Sequence, residues 1–131
     1  FVRTQIELLE YVFAANEVSE IWITFPDPQY KFKRTHHRLT NPTFLRSYSK
    51  VLKPEGIVHL KTDSAFLHGY TLGVLDGWNI TPLMAHHNVY QYVHAPEHVV
   101  GIQTFYEQQY REQGIPITYL KFSFPNDVPN Q

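Results

Sequence analysis

The residues of this chain that can carry chemistry are two aspartates, a basic run and one Thr-x-Tyr-Glu segment. Asp27 stands between Pro26 and Pro28. Both prolines lack a backbone donor and restrict φ, so the carboxylate between them is expected to be held rigidly. Lys31, Lys33, Arg34, His36, His37 and Arg38 follow, with no acidic residue from Gln29 to Leu39. A fixed acid followed by a basic arm suits a polyanion, the arm holding phosphates while the acid addresses a base. Three or four phosphate contacts would give a salt slope of about −3 to −4. Asp63 follows directly on another strand-like segment, Ile57 to Thr62. Thr104, Phe105, Tyr106 and Glu107 open a further segment in which Thr104 and Glu107 have the spacing of a capping box. The same two residues could meet a bound base at a helix N-terminus. Each feature also has a plain structural reading: aspartates after strands commonly cap the next turn or helix, and charge runs are commonly solvated loops.

The elements that must position these residues follow from periodicity. Ile21 to Phe25 is a run of apolar and β-branched residues without alternation, the pattern of a strand buried on both faces, within a strand expected over Glu20 to Phe25. The Pro/basic loop extends from there to about Thr40. Asn41 followed by Pro42 predicts a helix N-cap and first turn, and the helix is expected to end near Lys53. Pro54-Glu55-Gly56 predicts a turn, and Ile57 to Thr62 a second strand whose carboxyl end delivers Asp63. Ser64 is expected to cap a helix over Ala65 to Asp76, stopped by Gly77. A third strand is expected over Asn79 to Ala85, an irregular segment over His86 to Val100, a helix over Ile102 to Gln113 stopped by Gly114, and a last alternating strand over Ile117 to Phe124. A first helix is expected over Thr4 to Ala15. This alternation is that of a doubly wound α/β domain, in which ligands bind outside the carboxyl ends of the strands. Asp27 and Asp63 are thus expected to share one crevice.

Composition excludes several classes. The chain has 131 residues, 43% of them hydrophobic and 15% aromatic, which is enough for one buried core. Net charge is −1, so affinity for nucleic acid must come from the local cluster at Lys31 to Arg38. Without cysteine there are no disulfides and no thiolate nucleophile or ligand, which agrees with a cytoplasmic setting. No segment is long and apolar enough for a membrane span. Eight histidines raise the question of a metal. His86 and His87 are adjacent and Pro96 interrupts the turn between His94 and His98, so no metal site is expected. The chain starts at Phe1 in what already resembles the approach to a helix, and all 131 residues are expected to form the carboxyl-terminal part of a single longer domain.

Taken together, Phe25-Pro26-Asp27-Pro28 with Lys31 and the run to Arg38-Leu39, Phe44-Leu45, Leu52-Lys53-Pro54-x-Gly56, Lys61-Thr62-Asp63 and Thr104-x-Tyr106-Glu107 with Gly114 resemble the bacterial tRNA (guanine-N7)-methyltransferases. The resemblance spans essentially the whole chain, in order. It implies a Rossmann-like class I methyltransferase fold, S-adenosyl-L-methionine as cofactor, tRNA as partner, and methylation of a guanine in the tRNA variable loop. By position, Asp27 would be the catalytic acid at the junction of cofactor and target base. Lys31, Asp63 and Thr104 to Glu107 would bind substrate, and Lys33, Arg34, His36, His37 and Arg38 would bind RNA. Gln29 and Tyr30 stand where the family commonly has a tryptophan. The family's glycine-rich cofactor loop and first strands would lie upstream of Phe1, so this chain alone is expected to be an incomplete catalytic half. The competing reading is a non-catalytic RNA-binding fragment or paralogue that uses only the basic arm.

Overall fold

The computed structural model describes residues 17–87, 114 and 116–125. Its elements run β1 (Val18–Thr24), a 3₁₀ helix (Phe32–His37), α1 (Pro42–Val51), β2 (Leu52–Thr62), α2 (Ala65–Gly77), β3 (Met84–His86) and β4 (Thr118–Ser123). They form an open four-stranded sheet in the order β1-β2-β4-β3. β1 and β2 are parallel, and β4 is antiparallel to both β2 and β3. This is a mixed α/β architecture in which the last strand inserts between the second and third. The expected helices over Thr4 to Ala15 and Ile102 to Gln113 lie outside the described residues.

Side chains that pair across the ladder share a face, and this sorts the core. Ile23 pairs with Leu60, Leu60 with Leu120, and Val58 with Phe122. These five join Leu45, Tyr48 and Val51 of α1 and Leu67 and Leu75 of α2 in one buried cluster. Both described helices therefore cover the same face of the sheet. Each such side chain contributes roughly 1.5–3 kcal/mol of burial, which makes this layer the main source of stability. The opposite face carries Trp22, His59, Lys61, Tyr119 and Lys121. There the Trp22 and His59 rings stack at 3.8 Å. Nδ1 of His59 lies 2.7 Å from the Tyr119 hydroxyl, and Nε2 lies 3.2 Å from Glu20 Oε1. Burial, reinforced by the Glu20 charge, pushes the Tyr119 hydroxyl up to about 12.

Several boundaries differ from expectation for local reasons. Among the described residues β1 is an edge strand, with Ile23 its one buried residue and Trp22 39% exposed. The Pro54-Glu55-Gly56 turn forms, but inside β2: Val18 pairs with Leu52 and Glu20 with Ile57, so the turn loops out as a bulge. Glu55 has φ 65, and a Cβ on Gly56 would lie 2.8 Å from the Lys53 carbonyl oxygen. At that distance only glycine fits.

Asn79, not Gly77, stops α2. Asn79 takes φ 58, its N–H donates to Asp76 O at 3.0 Å, and Ile80 N–H donates to Leu75 O at 2.9 Å. That is a Schellman closure, completed by the burial of both Leu75 and Ile80. The third strand accordingly starts at Met84 rather than Asn79.

Candidate active site and nucleic-acid surface

The parallel pair β1 and β2 ends with Thr24 opposite Lys61, and Phe25 N–H donates to Lys61 O at 2.8 Å. Asp27 and Asp63 follow directly on these two neighbouring strand ends. Phe25 and Gln29 both have left-handed backbone, with φ 50 and 52, so the loop around Asp27 leaves the strand by a sharp and costly turn. Asp27 Oδ1 accepts the Gln29 N–H at 2.9 Å, which makes an Asx turn. The carboxylate is exposed. Asp63 is half-buried, and its backbone is held from both sides. Thr118 Oγ1 donates to Thr62 O at 2.8 Å, and Ser64 N–H donates to Thr62 Oγ1 at 3.1 Å. Ser64 Oγ in turn caps α2 by accepting the Leu67 N–H at 3.0 Å.

The basic arm is a 3₁₀ helix. Lys33, Arg34, His36 and His37 are exposed on it, as is Lys31 at its N-cap, and the His36 and His37 rings lie 3.9 Å apart. Asn41 anchors its end. Asn41 Oδ1 caps α1 by accepting the Phe44 N–H at 2.9 Å, while Nδ2 donates to His36 O at 2.8 Å. Tyr48 of α1 donates to Leu39 O at 2.6 Å. Thr71 Oγ1 donates to Leu67 O, so the 2.7 Å contact between Thr40 and Thr71 has Thr40 as donor. The arm is thus displayed from a rigid base.

Arg38 departs from the expected RNA-binding set. It is 5% exposed and turned inward. Its Nε donates to Gln29 O at 3.0 Å, Nη2 lies 3.5 Å from Tyr30 O, and the guanidinium carbon lies 4.7 Å from the Phe66 ring centre and 4.6 Å from that of Tyr70. Guanidinium groups favour such sites because they form in-plane hydrogen bonds and stack at the same time. Arg38 therefore clamps the loop that carries Asp27 onto α2. Burial raises the Tyr70 hydroxyl, an effect the nearby Arg38 charge opposes.

The sequence reading missed a set of aromatics. Phe32 is 90% exposed, Tyr30 65% and Phe66 41%. Tyr30 and Phe66 rings lie 5.2 Å apart, and the Tyr30 hydroxyl is 3.5 Å from Ser64 Oγ. The available signal was the interleaving Tyr30-Lys31-Phe32-Lys33, but Phe66 joins only through the tertiary fold. Thr104, Phe105, Tyr106 and Glu107 lie outside the described residues. Among those described, no group of three or more potential ligands could hold a metal, and no helix is long and apolar enough to cross a membrane.

Residues 1–120 match the family model Methyltransf_4, which describes methyltransferases. The chain is 66% identical to the tRNA (guanine-N(7)-)-methyltransferase of Christiangramia forsetii over 93% of its own length and 54% of that protein. It is 46% identical to the protein of that name from Porphyromonas gingivalis, over 93% of this chain and 49% of the relative. The Bacteroides thetaiotaomicron protein of that name is 42% identical over 97% and 49% respectively. The chain thus spans about half the length of the curated relatives it matches. With that match along nearly its whole length, and with an open α/β sheet whose parallel strand ends lead into Asp27 and Asp63, the chain belongs to the Methyltransf_4 family of methyltransferases.

Proposed function

We propose that the whole protein transfers a methyl group from S-adenosyl-L-methionine to N7 of a guanine in the tRNA variable loop, and that this chain supplies the target-base side of the site. The observation that supports this reading most directly is the pair of aspartates following adjacent parallel strand ends beside an exposed basic helix. The names of the relatives agree with it.

Guanine N7 carries a lone pair and no proton, so the reaction needs alignment and charge stabilisation rather than a base at that atom. A carboxylate accepting hydrogen bonds from the N1–H and N2–H₂ edge would select guanine and push electron density toward N7. Asp63 suits that role through its half-buried position on a backbone held by Thr118 and Ser64. Asp27 keeps Oδ1 in its own turn, which leaves Oδ2 for substrate or for the methyl donor. When bound, S-adenosyl-L-methionine would supply an electrophilic methyl on a cationic sulfur, and the exposed Asp27 carboxylate fits that charge. Lys31, Lys33, Arg34, His36 and His37 would hold phosphates, and Thr104 to Glu107 would contact the base.

The test is nucleoside analysis of an unmodified tRNA transcript treated with the full-length protein. Wild type is expected to form 7-methylguanosine. Asp27→Asn and Asp63→Asn should cut the rate at least about tenfold without a change in unfolding temperature, because a charge-assisted hydrogen bond is worth roughly 1.5–3 kcal/mol. Asn retains the Oδ1 acceptor of the Asp27 turn, so this variant isolates charge from loop geometry. Wild-type turnover in both variants would overturn the assignment.

A further inference from the structure

The chemistry above does not use the exposed aromatics. Tyr30, Phe32, Phe66, Gly69 and Tyr70 line a concavity of about 460 Å³, with the Arg38 guanidinium against the Phe66 and Tyr70 rings. The concavity is shallow and open to solvent. Phe32 also borders a second concavity of about 460 Å³, which includes Thr35, His36 and Phe44. A phenylalanine that is 90% exposed at the start of a helix, next to exposed Lys31, Lys33 and Arg34, is a costly surface unless something covers it.

We propose that this aromatic cup takes one unpaired base of the bound RNA, a neighbour of the target guanine, stacked on Phe32 and bordered by Phe66. The inference rests on the proposed reaction for the identity of the RNA. Charge decides the occupant. The core of a protein interface is depleted of charged residues, whereas single-stranded nucleic acid is held by aromatic platforms with cations tracking the backbone beside them. Here the cations stand beside the rings in the chain itself, at Lys31 and Lys33 on either side of Phe32. Proximity decides the position. The Tyr30 hydroxyl on the cup lies 3.5 Å from Ser64 Oγ, and Ser64 directly follows Asp63. A base in the cup is therefore next to the one Asp63 would read.

The experiment uses the full-length protein and tRNA transcripts carrying 2-aminopurine at the unpaired position on either side of the target guanine. Binding of wild type should quench the fluorescence of one transcript, as stacking does. Phe32→Ala and Phe66→Ala should each weaken binding about 5- to 150-fold and reduce the quench, with Phe32→Tyr restoring both. Phe32→Leu keeps apolar area without a π face and should behave as the alanine variant does. Phe32 is too exposed for its loss to unfold the chain. Unchanged affinity and quench in both alanine variants would overturn the proposal, as would wild-type binding by Phe32→Leu. The quench is read without turnover, so the two claims separate. A quench with no 7-methylguanosine would overturn the reaction and leave the cup; 7-methylguanosine with no quench in either transcript would overturn the cup and leave the reaction.

Discussion

Replacing Arg38 separates two accounts of the basic arm. If the guanidinium clamps the loop around Asp27, its loss removes one good charge-assisted hydrogen bond, to Gln29 O at 3.0 Å, worth roughly 1.5–3 kcal/mol. It also removes a marginal one, at 3.5 Å to Tyr30 O, and two ring contacts at 4.7 and 4.6 Å. Each ring contact is worth roughly 0.5–1 kcal/mol. Relief from burying the charge offsets part of this. For Arg38→Ala we expect a net loss of about 2 kcal/mol, which for a domain of 150–250 residues lowers Tm by about 4–8 °C. The salt slope of tRNA binding should stay as in wild type. A phosphate contact would behave oppositely, with Tm unchanged and the slope shallower by about 0.7–0.9. Arg38→Lys keeps the charge but loses the planar fork and the stacking, so it should stay close to the alanine variant in Tm. Thermal unfolding of the full-length protein and tRNA titrations from low to moderate salt read both quantities. An unchanged Tm together with a shallower slope would refute the clamp.

Neutralising Lys31, Lys33 and Arg34 together should make the salt slope shallower by about 2–3 and leave Tm nearly unchanged, since all three are exposed. An unaltered slope would remove the 3₁₀ helix from the RNA-binding surface. His68 supplies a pH dependence. Burial lowers its pKa from 6.5, and the His87 and His86 charges lower it further. Below pH 6.5 the unfolded chain takes up a proton that the folded chain resists, so stability is full above that pH and falls as the pH drops through it, by at most about 1.36 kcal/mol per pH unit. In denaturant titrations between pH 7 and 5, His68→Leu should show a smaller decline than wild type. Equal slopes would exclude His68 as the group responsible.

The amino-acid order by itself determined what depends on neighbours a few residues apart. Asn41 before Pro42 and Ser64 before Ala65 cap helices because a side-chain oxygen reaches the N–H three residues on, at Phe44 and Leu67. The Pro26 and Pro28 bracket, the Pro54-Glu55-Gly56 irregularity and the strand ends leading into Asp27 and Asp63 are local in the same sense. Tertiary structure alone decided the rest. β4 enters between β2 and β3 because Leu120 and Phe122 complete the layer begun by Leu60 and Val58, a pairing across about sixty residues of chain. Arg38 reads as one more cation in a basic run, yet it is buried because Phe66 and Tyr70 arrive from α2 to stack on it. The same arrival turns Tyr30 and Phe32 from isolated loop aromatics into the wall of a cup. Charge and aromaticity are properties of a residue, but whether they face water, a phosphate or another ring depends on elements far away in sequence.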